Sequence, residues 1–176
     1  MSAPGAFSWI AEATAVSGPP ELSEVSLKEV SMIEQRAQAE WHGGLKDGSG
    51  SFRSGTIEGK YSFASRFEGA KGSTPEELIG AAQAACFTMA LSLFLGERGH
   101  TADAIRTSAT VTLDPSKLAI SRIELETEAD ASGLDDAEFR EAAEQAKENC
   151  PVSKALAGVE IVLRSAVLST ATGNRR

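Results

Sequence analysis

The chain has 176 residues, of which 41% are hydrophobic, 24% charged and 6% aromatic. That balance suits one soluble globular domain large enough to build its own core. Acidic residues outnumber basic ones by 25 to 17, a net charge of −8, and no basic run offsets it, so a nucleic-acid partner is not expected. Two cysteines and two histidines argue against a disulfide scaffold and a structural zinc site; neither metal nor cofactor is called for.

Residues 1–33 read as an N-terminal extension. Gly18-Pro19-Pro20 interrupts any regular element, and Glu21 to Ile33 places Leu22, Val25, Met32 and Ile33 near one helical stripe. This predicts a loose leader and then a short amphipathic helix. The first basic residue is Lys28, so the leader lacks the basic start of a secretory signal and a cytoplasmic location is expected. Met32 is a candidate internal start. The domain proper is expected over 34–170, followed by a frayed tail over 171–176.

Three short strands are predicted next, at Ala37–His42, Ser51–Ile57 and Lys60–Phe67, with turns at Gly43-Gly44, Asp47-Gly48-Ser49-Gly50 and Glu58-Gly59. Loops this short imply an antiparallel meander. Thr74-Pro75-Glu76-Glu77 then starts a long helix: Thr74 caps, proline occupies the first turn, and Glu77 reaches back to the cap. The helix should end near Gly96 or Gly99. Its stretch Leu78–Leu95 carries no charge, which is barely a membrane span by length, and its alanines, Gly80, Gln83, Thr88 and Ser92 fit a buried core helix better. A helix apolar nearly all round needs covering on more sides than one small sheet supplies, and a second copy is the simplest source.

Two alternating strands are predicted at Ile105–Leu113 and Ala119–Glu128. A helix follows over Asp136–Glu148, capped by Asp135 with Glu138 reaching back and Leu134 stapled to Phe139. A last strand is expected over Val159–Leu168. The order βββ-α-ββ-α-β gives an α+β fold, an antiparallel sheet packed on a long buried central helix in an intertwined homodimer.

Cys86, amid Ala84, Ala85 and Phe87 in the long helix, reads by itself as a small buried hydrophobe. Cys150 is less easily dismissed. Asn149-Cys150-Pro151 breaks the chain between two helices and puts a cysteine at an N-cap, where helix N–H groups favour a thiolate. A thiol of pKa 8.5 is about 3% ionised at pH 7, and lowering it to about 6 takes about 3.4 kcal/mol, more than a helix end provides. An active Cys86 therefore requires a cation from elsewhere, and an arginine is the expected source; Arg66, in Ser65-Arg66-Phe67-Glu68-Gly69 just before the helix, is a candidate that by itself reads as a solvated surface charge.

These surroundings carry a family resemblance. Phe67-Glu68-Gly69, Gly72, Pro75-Glu76-Glu77-Leu78-Ile79-Gly80-Ala81-Ala82, Ala84-Ala85-Cys86-Phe87, Met89-Ala90-Leu91-Ser92 and Cys150-Pro151-Val152-Ser153 together resemble the osmotically inducible protein C and organic hydroperoxide resistance family, in its osmotically inducible branch, from about Glu34 to Leu168. The resemblance implies a thiol-dependent peroxidase that reduces organic hydroperoxides, and hydrogen peroxide less well, in oxidative or osmotic stress. It implies a homodimer with active sites at the subunit interface. Cys86 matches the peroxidatic cysteine, Cys150 the resolving cysteine, Arg66 the arginine that holds the thiolate, and Glu76 the glutamate that orients that arginine. The implied reductant is a dithiol, with a lipoyl-bearing protein suggested.

One inference comes from geometry. Glu76 and Cys86 lie roughly 15 Å apart along a straight helix and roughly 80° apart around it, so the Arg66–Glu76 pair is expected to serve Cys86 of a partner chain. Two rivals make different demands. A non-catalytic dimer with an apolar groove around Phe87, Met89 and Phe94 would leave both thiols unperturbed. A cysteine hydrolase would need His42 or His100 as base, and neither sits in a motif.

Overall fold

Local capping and turn chemistry explain most element boundaries of the computed structural model, which describes residues 32–169. The predicted leader and the tail lie outside the described residues, as does nearly all of the amphipathic helix. Its last two residues, Met32 and Ile33, stand outside any helix and are exposed.

Strands β1 (Ala37–His42), β2 (Ser49–Ser54) and β3 (Ile57–Ser62) form one antiparallel sheet in that order. The second turn falls at Gly55-Thr56, with Ser54 opposite Ile57, and not at Glu58-Gly59. Gly59 serves inside β3, opposite Phe52, where a Cβ would stand 2.7 Å from the phenyl ring. The third strand also stops earlier than predicted. Ser62 and Ser65 cap each other reciprocally and start a one-turn helix, α1 (Phe63–Phe67), in place of the strand's second half. Trp41, Phe52 and Tyr61 cluster on this sheet, with the Tyr61 ring 5.5 Å from Trp41 and 6.5 Å from Phe52.

Helix α2 (Pro75–Glu97) begins as its sequence requires. Thr74 accepts from the Glu77 N–H while Glu77 accepts from the Thr74 N–H, both at 3.1 Å. It ends where Gly99 takes a left-handed φ of +82° and His100 N–H returns to the Leu95 carbonyl at 2.9 Å.

Strands β4 (Ala102–Asp114), β5 (Ala119–Ala131) and β6 (Glu160–Ser169) form a second sheet in that order. The fold is α+β as expected, but built on two three-stranded sheets, and β6 runs parallel to β5. Parallel pairing needs a crossover, which helices α3 (Asp136–Asn149) and α4 (Pro151–Ala155) supply. Asp135 caps α3 by accepting from the Glu138 N–H at 2.8 Å. The Glu138 carboxylate does not reach back; it faces His100 Nε2 at 3.3 Å.

The core lies where α2 and α3 pack on the second sheet. Phe87, Leu91 and Leu95 of α2 meet Phe139, Ala142, Ala143 and Ala146 of α3, Leu125 and Ala129 of β5 and Ala166 of β6. Only one stripe of α2 is buried, namely Gly80, Gln83, Phe87, Leu91 and Leu95. Another side of the same helix exposes Met89 (75%) and Leu93 (48%). By length and composition α2 could cross a membrane, but its buried stripe is the core of this fold.

Candidate active site

Arg66 and Glu76 are brought together by the connection between α1 and α2. The Ser65 hydroxyl, buried, donates to the Ser73 carbonyl at 3.1 Å, and Ser73 N–H donates to the Lys60 carbonyl at 2.8 Å. Gly72 makes the loop possible: its φ is +146°, and a Cβ there would lie 2.9 Å from the Ser65 Cβ. Fixed in this way, Arg66 donates to both Glu76 oxygens, from Nη2 to Oε1 at 2.6 Å and from Nε to Oε1 and Oε2 at 3.2 Å. The guanidinium also stands 5.3 Å from the Phe67 ring centre. Because Glu77 does the capping, Glu76 is free for this pair. Its side chain is 12% exposed against 36% for Arg66, so the carboxylate is the anchored member and the arginine presents an outward edge.

Partial burial pushes the Glu76 carboxyl up, but the Arg66 hydrogen bonds, the helix N–H and the Arg66 charge together outweigh it and hold the group below its ordinary 4.5. The unfolded chain therefore takes up this proton first as acid is added. The stabilisation is complete above about pH 4.5 and is lost as the pH falls through the folded value. Glu76→Gln should flatten this part of the stability profile, measured by urea unfolding across an acid pH series.

Cys86 and Cys150 meet within one chain. Both are free thiols, Cys86 partly exposed and Cys150 fully buried, and they lie within hydrogen-bonding reach of each other. Burial and the Cys150 thiol push Cys86 up, the backbone N–H of Val152 pulls it down, and the net direction is upward. The helix start after Cys150 therefore serves the other cysteine. Cys150 makes no side-chain cap on α4, contrary to the expectation of a capping thiolate: its side chain is fully buried, and the Val152 N–H of α4 bonds to Cys86. A structural signal for this was present in sequence only indirectly: Pro151 has no N–H, which leaves Val152 as the first donor of the helix.

The four predicted residues thus form two assemblies. Arg66–Glu76 sits at the start of α2, Cys86–Cys150 near its middle, and no arginine is among the groups acting on the Cys86 thiol. Two further polar residues join the thiol assembly, Gln83 and Ser153, whose side chains bond across α2 and α4. Gln83 was visible as a polar residue one turn before Cys86 in an apolar helix. The histidines stand elsewhere, His42 beside Glu40 at 3.0 Å and His100 beside Glu138.

Comparisons with known proteins identify the family. A profile of the OsmC-like protein family matches residues 68–164. The chain is 48% identical over 129 residues to Peroxiredoxin OsmC of Escherichia coli (strain K12), covering 70% of this chain and 90% of that protein. Among solved structures, an OsmC-like protein of Mycoplasma pneumoniae superposes with a TM-score of 0.61 at 19% identity, over 78% of this chain and 99% of the other. The organic hydroperoxide resistance protein OhrB of Bacillus subtilis gives 0.53 at 27% identity, over 76% and 98%. With more than half its length matched to that profile and a relative this similar covered almost end to end, the chain belongs to the OsmC-like protein family.

Proposed function

We propose that the chain is a cysteine-based peroxidase that reduces organic hydroperoxides, and less well hydrogen peroxide, to alcohols. The observation that carries this is the meeting of two free thiols, distant in sequence, beside the Val152 N–H at the start of a helix. The reading is supported by similarity to a protein named a peroxiredoxin. In this reading the Cys86 thiolate attacks the terminal peroxide oxygen, the O–O bond breaks, and the alkoxide leaves as alcohol after taking a proton. Cys86 becomes a sulfenic acid. The Cys150 sulfur then attacks the Cys86 sulfur, water leaves, and a disulfide forms. An external dithiol, which a lipoyl-bearing protein would supply, reopens it and is itself oxidised to a disulfide.

The thiolate has to be made, since one chain by itself pushes Cys86 upward. Arg66, oriented by Glu76, is the cation for this task, delivered from a second copy. Two surfaces support such a dimer: the Trp41–Phe52–Tyr61 face of the first sheet, which makes little contact with α2 or the second sheet, and the Met89–Leu93 side of α2. The enzyme would then act in the cytoplasm, in defence against oxidative or osmotic stress.

The reading is tested by adding one equivalent of tert-butyl hydroperoxide to the reduced protein and counting thiols. Loss of both, with Cys86 and Cys150 joined in one peptide pair, is expected, together with repeated turnover when dithiol is present. Unchanged thiols would favour the ligand-binding dimer instead.

A further inference from the structure

Gln83 is fully buried on α2, three residues before Cys86 and on the side that faces α4. Its Nε2 donates to the Ser153 hydroxyl at 2.8 Å, while its Oε1 has no partner among the described residues. Leaving a buried carbonyl oxygen unpaired lowers stability, and an apolar side chain of similar length would fill the same seam without that cost. The other buried positions of α2 are apolar or glycine. A half-satisfied amide at this one place points to a local task.

The task follows from what Ser153 belongs to. Helix α4 spans only Pro151–Ala155, too short to hold a position by its own hydrogen bonds. Its placement on α2 decides whether the Val152 N–H meets the Cys86 sulfur and whether Cys150 lies within reach. Ser153 directly follows Val152, so a directional bond to Ser153 sets the register of that N–H.

We infer that Gln83 is a positioning residue for Cys86, acting through Ser153 to keep the Val152 N–H on the thiol and Cys150 beside it. The inference rests on the reading of Cys86 as the reacting thiol, but its test does not use peroxide. The variants are Gln83→Met, Ser153→Ala and the double variant, each reduced and alkylated with iodoacetamide across pH, with the Cys86 peptide followed by mass spectrometry. Each single variant should raise the apparent Cys86 pKa by about one unit and slow its alkylation at pH 7 about tenfold. The double variant should go no further, since both changes break the same bond. Thermal melting of the double variant should stay within a few degrees of the parent, because both partners are removed together. An unchanged alkylation profile in Gln83→Met, or in Ser153→Ala should the first fail to fold, overturns the inference. So does a double variant equal to the sum of the singles. Failure of the parent protein to consume hydroperoxide would instead count against the peroxidase reading.

Discussion

Cys86→Ser is expected to reduce hydroperoxide-dependent consumption of dithiol to the uncatalysed background, a loss on the order of 10³-fold or more, because no other group can take over a displacement at oxygen. Cys150 is fully buried and is the other free thiol, beside Cys86, so Cys150→Ser should behave differently. Its first turnover should proceed at a rate close to the parent's, consume one equivalent of hydroperoxide and then stop. Intact mass should show Cys86 as sulfenic acid, moving on to sulfinic acid with excess peroxide, since the sulfur that would have captured it is gone. Stopped-flow peroxide loss and mass spectrometry separate the two variants. Undiminished steady turnover in Cys86→Ser would refute the assignment of the nucleophile.

The second large effect concerns where the positive charge comes from. Helix α2 runs without interruption from Pro75 to Glu97, and the Arg66–Glu76 pair is locked to its first turn. Among the described residues no arginine is one of the groups acting on the Cys86 thiol, and in the proposed dimer this pair serves the sulfur of the second copy. Arg66→Met should therefore lower the rate of Cys86 oxidation at pH 7 by about 10²-fold or more, as loss of an oxyanion-stabilising donor does elsewhere. The loss should be rescued in mixed dimers. Co-expressed Arg66→Met and Cys86→Ser chains, each inactive alone, should recover about a quarter of the parent activity, because random pairing in a two-fold dimer makes half the dimers mixed and each holds one complete site. A site built within one chain predicts none, because in mixed dimers the chain with Cys86 lacks its own Arg66.

Sequence reasoning succeeded where a feature is decided within one turn of chain. The start of α2 is such a case: Thr74, Pro75 and Glu77 act on neighbours three residues away, and the division of labour between Glu77 as cap and Glu76 as arginine partner follows from that spacing. The reciprocal caps of Ser62 and Ser65 are equally local, yet α1 was missed because Tyr61-Ser62-Phe63 also suits a strand. Gly59 misled as a turn signal because its glycine answers a need across the sheet, room for the Phe52 ring. The parallel seating of β6 and the turning of α4 toward Cys86 depend on contacts between distant segments. No window along the chain displays them. The pairing of Cys86 with Cys150 came from family resemblance, and local pattern alone put the helix N–H groups at Cys150; docking of α4 on α2 brings the Val152 N–H to Cys86 instead.

The parallel crossover also bears on how the protein is made. Synthesis runs from the N-terminus, so Cys86 leaves the ribosome well before Cys150, and Cys150 is carried on the segment that swings back over the sheet. That segment is held from two sides, by α3 and α4 against α2 and by β6 beside β5. The two sulfurs can meet only after the chain through α4 has been made and has docked on α2. The capacity for an internal crosslink therefore comes late in synthesis.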